Sequence, residues 1–309
     1  MDILKTQHLV TFMEVVRCGS IRSAAQSLGV TQPAVTRIIH EIENYLGTEL
    51  IIRSCTGVKL TEAGHRLVPH SRIILKDIDL AVADIRSLCG ASSGEVAFGF
   101  SSLIGFTVLP ELVKYFHKKY PAIQLSIQEA QLSELLPALR DGRLDFVIGT
   151  VNTGMPVQNM VVCPLFNAEF SFIARHGHPL AQCETLQALS HARWVLPQTD
   201  MGYYHDLFSQ FKHYMVKAGS MVRTDSVITI YNLVTCAGFI SVLAQAMASP
   251  FRDESIIEIP VRDVLPTAHY AIVYQRDKKI SKEAEALINE IKKFSWVRYK
   301  GLTDVKEFL

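Results

Sequence analysis

Between Gly19 and Thr61 the chain reads GSIRSAAQSLGVTQPAVTRIIHEIENYLGTELIIRSCTGVKLT. Within this run, Thr31, Gln32, Pro33, Thr36, Arg37 and His40 share one side of a helical pattern. The other side holds Val35, Ile38, Ile39, Ile42 and Leu46. An amide side chain pairs bidentately with adenine, and a guanidinium pairs with guanine or phosphate. Threonine hydroxyls hold phosphates and set register, and a proline ring can touch a thymine methyl. This is chemistry for reading base-pair edges, not for breaking bonds. Further on, Arg53, Thr56 and Lys59 stand in a strand-like stretch that would reach the DNA backbone or minor groove. Ser20 opens the helix that precedes the reading helix, completing the expected DNA-binding set.

Bond-breaking chemistry finds no comparable pattern. The run Gly99-Phe100-Ser101-Ser102-Leu103 lacks the second glycine of a nucleophile elbow. The chain has no P-loop and no dinucleotide-binding glycine fingerprint. His176 and His178 flank Gly177, but no third ligand stands at metal-binding spacing. No catalytic residue, metal ligand or cofactor is therefore assigned, and the chain reads as a non-enzyme. Six cysteines (Cys18, Cys55, Cys89, Cys163, Cys183 and Cys236) are scattered without a CxxC pair, as expected of buried, reduced thiols in a cytoplasmic protein.

Charge does not announce a nucleic-acid partner. The formal net charge of the 309 residues is +1, and residues 1–90 carry ten Lys and Arg against nine Asp and Glu. The case for DNA rests on local pattern, not on bulk attraction.

These side chains need a scaffold, and the sequence supplies one. Leu9, Phe12, Met13 and Val16 define a first helix, ended by Gly19. Ser20 caps a second, whose inner face is Ile21, Ala24, Ala25 and Leu28. The alanines permit a close helix crossing. Gly29 turns the chain, Thr31 stands where a cap is needed, and Pro33 sits in the first turn, where its missing amide costs nothing. A wing spans Glu49 to Leu60. Thr61 then opens a long helix to about Leu88, with Leu67, Ser71, Ile74, Ile78, Ala81, Ile85 and Leu88 at heptad spacing. Such a helix would run about 40 Å and pair two copies of the chain; Pro69 predicts a local bend. Residues 1–61 thus form a head, 62–90 a dimerisation helix, and the small residues Gly90 to Gly94 a boundary before a domain over 91–309.

The third region alternates strands and helices and predicts an α/β domain with mostly parallel strands. Strands are expected at Val96–Phe100, Ile123–Glu129, Leu144–Gly149, Phe170–Ala174, Trp194–Leu196, Phe239–Leu243, Ile256–Val261 and Tyr270–Tyr274. Helices are expected at Val108–Tyr120, Leu132–Asp141, Val227–Val234 and Ser281–Phe294. Ligands of such sheets bind beyond the carboxyl ends of strands. There the chain places Ser101, Ser102, Gln131, Thr150, Thr199 and Ser226, whose hydroxyls, amides and adjoining helix ends would suit a small carboxylate. Ser226 to Phe251 has no charged residue and spans a bilayer's length, but its polar residues and Gly238 read as helix, turn and strand, so no membrane partner is expected. The N-terminal MDILKTQHLV also lacks the pattern of a signal peptide.

The head resembles the winged helix-turn-helix of LysR-type transcriptional regulators. The matching positions include Gly19-Ser20, Ala24-Ala25, Leu28, Thr31 to Thr36, Ile42-Glu43, Leu46-Gly47, Leu50, Arg53, Leu60-Thr61 and Ala63-Gly64. It departs from that family at Ile51, where Phe is usual, and at Glu62, where Pro is usual. Arg140 to Phe146 and His178-Pro179-Leu180-Ala181 resemble signatures of the family's effector-binding domain, which is similar to two-lobed periplasmic binding proteins. A further departure is Ala237-Gly238-Phe239-Ile240, where another glycine is usual. The resemblance implies lobe I at 95–166 with 267–296, and lobe II at 167–266. It also implies a homodimer or homotetramer, double-stranded DNA as partner, and contact with RNA polymerase.

Overall fold

The computed structural model describes residues 4–54, 57–87, 94–152, 155–198, 201–215, 220–248 and 255–298. The chain divides into two units, Met1–Ser92 with Arg140–Arg143, and Ser93–Leu139 with Leu144–Leu309.

The first unit holds α1 (Thr6–Cys18), α2 (Ile21–Ser27), α3 (Gln32–Leu46), the hairpin β1 (Ile51–Ser54) and β2 (Gly57–Leu60), and α4 (Glu62–Ser87). Gly19 stops α1 in the left-handed conformation, its N–H returning to the Val15 carbonyl. Phe12, Val15, Ala24, Val35, Ile39 and Ile42 are fully buried together. Of the expected apolar face of α3, Ile38 is only half-buried and Leu46 is exposed, because the helix end outruns the small core it packs on. The Thr61 hydroxyl accepts the Gly64 N–H at 3.0 Å and donates to the Glu49 carbonyl at 2.7 Å, capping α4 and fixing it to the wing. The helix then continues through Pro69 as one element. Leu67 is half-buried and Ser71 buried, whereas Ile74, Ile78, Ala81, Val82 and Ile85 are exposed; Leu88 lies outside the described residues.

The second unit opens with β3 (Gly94–Phe100), α5 (Ser102–Thr107), α6 (Leu109–Lys119), β4 (Ile123–Glu129), α7 (Leu132–Arg140), β5 (Phe146–Val151) and β6 (Met160–Ala168). It continues through β7 (Phe170–Arg175), β8 (Arg193–Leu196), α8 (Tyr203–Met215), β9 (Ser220–Arg223), α9 (Val227–Ala237), β10 (Ser241–Ala244), α10 (Gln245–Ala248), β11 (Ile256–Glu258), β12 (Ala268–Gln275) and α11 (Lys282–Arg298). A five-stranded sheet runs β4-β3-β5-β12-β6; a three-stranded sheet runs β10-β7-β11; β8 and β9 pair separately.

The expectation of mostly parallel strands is corrected. In this unit three pairings are parallel (β3 with β4 and β5, β8 with β9), and four are antiparallel: β12 with β5 and β6, and β7 with β10 and β11. β12 returns antiparallel into the first sheet after the whole second sheet has been built, a polarity that hydrophobic pattern does not encode. β6, α8 and β9 were not anticipated, and the helix expected at Val108–Tyr120 is preceded by the separate short α5. The five-stranded sheet is covered on both faces. Phe98 and Phe146 stack at 5.2 Å on one side, and Leu135, Leu139, Val147 and Val273 pack on the other.

Ser226 to Ala244 forms a helix, a turn at left-handed Gly238, and a strand, as its composition predicted. Among the described residues no helix is long and apolar enough to cross a membrane. Four described cysteines are free thiols, but Cys18, Cys163 and Cys183 are half-buried and Cys236 is exposed, so their expected burial is corrected. Cys55 and Cys89 lie outside the described residues.

Candidate nucleic-acid interface and ligand cleft

The buried stripe of α3 leaves its opposite face to solvent. Thr31, Gln32, Pro33, Arg37 and His40 are exposed there, and Thr36 is half-buried. Arg53 and Lys59 are exposed on the wing, and Thr56 lies outside the described residues. Ser20 is half-buried, and its hydroxyl accepts the Ser23 N–H at 3.4 Å, so its first duty is to cap α2. Thr31 occupies the cap of α3 through its backbone carbonyl, which accepts from Ala34 and Val35; its hydroxyl makes no capping bond. Arg37 pairs with Glu41 at 3.5 Å, but such an exposed pair is worth little and yields readily to a phosphate.

Glu43 ties the reading helix to the wing. Its Oε1 accepts the N–H groups of Leu50 at 2.9 Å and Ile51 at 3.4 Å; its Oε2 lies 3.2 Å from His40 Nδ1. His40 Nε2 in turn meets the Arg53 guanidinium at 3.2 Å. Two expected DNA contacts, His40 and Arg53, thus meet directly, and His40 is held by a carboxylate that was not among the expected site residues. The wing is also held at its tip: Val58 N–H donates to the Gly19 carbonyl at 2.8 Å, and Gly57, at φ 127°, leaves no room for a Cβ, which would stand 2.6 Å from that oxygen. Replacing Glu43 by Ala is expected to cost about 1–3 kcal/mol of stability, because two wing amides lose their acceptor. Glu43→Gln keeps an acceptor oxygen and should lose less. Urea denaturation of both variants checks this; equal stability of Glu43→Ala and the parent chain would refute the tie.

In the second unit a cleft of about 430 Å³, its open mouth included, lies between the two sheets. One wall comes from the ends of β3, β4, β5 and β12: Ser101, Ser102, Gln131, Thr150 and Tyr270. The other comes from the second sheet and its helices, with Phe170, Tyr204, Asp225, Leu243 and Met247. Four of the expected ligand residues therefore converge. Thr199 lies outside the described residues. Ser226 does not line the cleft; it is the exposed N-cap of α9, its hydroxyl accepting the Thr229 N–H at 3.3 Å, and its neighbour Asp225 faces the space instead.

The polar groups of the cleft have distinct environments. Ser101 Oγ is buried and has no hydrogen-bond partner among the described residues. Ser102 Oγ donates to Glu129 Oε1 at 2.6 Å. Thr150 Oγ1 accepts the Tyr203 N–H at 3.1 Å, a cross-cleft cap for α8, and left-handed Gly202 makes this approach possible, since a Cβ there would stand 2.6 Å from that oxygen. Asp225 accepts the Gln198 N–H at 3.0 Å. Burial pushes the Asp225 carboxyl above its usual range, the amide lowers it, and the charge of Glu134 raises it. Burial also pushes the phenols of Tyr203 and Tyr204 far up, so both remain neutral; Tyr204 donates to the Val242 carbonyl at 3.1 Å, whereas the Tyr203 hydroxyl has no partner among the described residues. Phe170 stacks on Tyr203 at 3.8 Å and meets Tyr204 edge-on at 5.8 Å. These aromatics were missed because they come from strand faces and an unanticipated helix.

A helix with an exposed polar face and a tied wing, followed by a domain with a cleft between two sheets, is the architecture of a ligand-responsive DNA-binding regulator. The family described as "Bacterial regulatory helix-turn-helix protein, lysR family" matches residues 6–65, and "LysR substrate binding domain" matches residues 90–295. The chain belongs to the LysR family of transcriptional regulators, which are not enzymes. It is 46% identical over 291 residues to the HTH-type transcriptional regulator TdcA of Escherichia coli strain K12, covering 94% of this chain and 93% of that one. Among solved structures it is similar to a full-length variant of OxyR from Pseudomonas aeruginosa, at TM-score 0.70 and 20% identity, over 99% of this chain and 100% of that one. It is also similar to full-length CbnR complexed with its target DNA, at TM-score 0.68 and 18% identity, over 94% and 100% of the two chains. The effector-binding domain is accordingly two-lobed.

Proposed function

We propose that the chain is a cytoplasmic activator of a catabolic operon, that of threonine and serine degradation, controlled by a small carboxylate held between lobe I (95–166 with 267–296) and lobe II (167–266). The observation carrying this reading is the convergence of Ser101, Ser102, Gln131 and Thr150 on one wall of a cleft closed by a second sheet. The operon assignment draws on the 46% identity to TdcA. Two heads joined through α4 read an inverted, A/T-rich site, with Gln32, Pro33, Thr36 and Arg37 at base edges and Thr31, Arg53 and Lys59 at phosphates. The carboxylate shifts the arrangement of the heads, and the assembly, a dimer or tetramer, engages RNA polymerase.

Footprinting on the promoter of the adjacent operon tests this reading; no protected site at low salt would overturn it. Gln32→Ala should weaken specific binding by about 1–3 kcal/mol and leave nonspecific binding unchanged. A parallel fall in both affinities, measured by competition with random-sequence DNA, would remove Gln32 from the base readers.

A further inference from the structure

We infer that the ligand of this cleft carries a positively charged amino group beside its carboxylate, as an α-amino acid zwitterion does; the inference rests on the reading of the cleft as the effector site. The cleft's own charge is the starting point. Asp225 lines it, whereas no Lys or Arg does so among the described residues. Glu129 stands 2.6 Å from the Ser102 hydroxyl, and the charge of Glu134 acts on Asp225. A ligand with only a carboxylate would thus enter a negative field with no cation in the wall. A zwitterion brings its own countercharge.

Each end of such a ligand has a receptor, and the two stand on opposite walls. On the first wall, the buried Ser101 hydroxyl lacks a partner among the described residues, a cost that a bound acceptor would remove. Gln131 leads there into α7, a nine-residue helix whose first N–H groups favour an anion. On the second wall, Asp225 is held in place by the Gln198 N–H at 3.0 Å and stands just before α9. Tyr204 on the same wall adds ring surface of the kind that favours a cation. Leu243 and Met247 complete an apolar portion suited to a short aliphatic side chain. Binding of the two ends would couple the two walls.

Titration calorimetry on the full chain tests this with matched three- and four-carbon α-amino, α-hydroxy and α-keto acids and the N-acetylated amino acids. The amino acids are expected to bind, and every analogue lacking the charged amine should bind at least about tenfold more weakly. Asp225→Asn should weaken the amino acids about tenfold and narrow that gap. This ligand comparison needs no variant, so a poorly folded Asp225→Asn does not impair it. If hydroxy or keto acids bind as tightly as amino acids, and Ser101→Ala weakens all of them, the effector cleft stands and the amine requirement falls. If no compound in the series binds, the cleft reading fails and takes this inference with it.

Discussion

Replacing Ile78 by Asp is expected to convert the protein to monomers in sedimentation equilibrium and to weaken operator binding about 10²–10⁴-fold, the margin lost when two linked reading heads become one. The prediction rests on the outer face of α4. Ile74, Ile78, Val82 and Ile85 are 43%, 38%, 43% and 66% exposed in the single chain, at steps of four, four and three residues. That spacing aligns them along one face of the helix as an apolar seam, and Asp77 and Asp79 beside it keep the flanks polar. Covering one such side chain contributes about 1.5–3 kcal/mol, and a two-fold seam covers each of them twice. A carboxylate introduced at this position in both copies would bring like charges into an apolar contact. Ile78→Leu should preserve both mass and affinity. An Ile78→Asp variant with unchanged mass would remove α4 from the dimer interface.

The head was legible in the sequence because its constraints are local. Ser20, Gly29 and Pro33 punctuate helices whose spacing has one reading, and the inward face of Ala24, Val35, Ile39 and Ile42 is buried as that spacing requires. What it did not reveal was Glu43, whose carboxylate acts on amides seven and eight residues away, through a fold in the chain.

The second unit was legible where strands are buried runs, such as Val96 to Phe100 and Phe146 to Ile148. It was illegible where tertiary contacts supply the reason for an element. β6 contains Pro164 and is half-buried along most of its length, a pattern tolerated because it is the last strand of its sheet. α8 is rich in aromatics and histidine, which favour helices weakly, and its first N–H is capped by Thr150 from another strand. The cleft was half legible for the same reason. The strand-end rule located Ser101, Ser102, Gln131 and Thr150, but it chose Ser226 over Asp225, because a hydroxyl before a helix serves equally as a cap, and here it does.

Trp194→Ala is expected to destabilise the effector domain by about 3–5 kcal/mol. Trp194 is fully buried on β8, edge-on to Phe172 at 5.9 Å, and lies within the cluster joining β7, β8 and α9. It also stands where β8 meets the chain leading into β10. Val195 N–H donates to the Ile240 carbonyl at 3.0 Å, Ile240 N–H to the Arg193 carbonyl at 2.8 Å, and Ser241 Oγ to the Val195 carbonyl at 2.6 Å. Truncation would leave a large void beneath a short two-stranded pair that cannot collapse without breaking those bonds. One opposing effect places the loss toward the lower end: the indole Nε1 is buried without a partner among the described residues, so its removal relieves a desolvation cost. For a domain of this size the midpoint should fall by about 6–20 °C. Trp194→Phe, which keeps most of the volume and discards the unpartnered N–H, should lose far less. Calorimetric scans of the three proteins check the ordering, and a Trp194→Ala midpoint within about 2 °C of the parent chain would mean that this packing does not hold the second sheet in place.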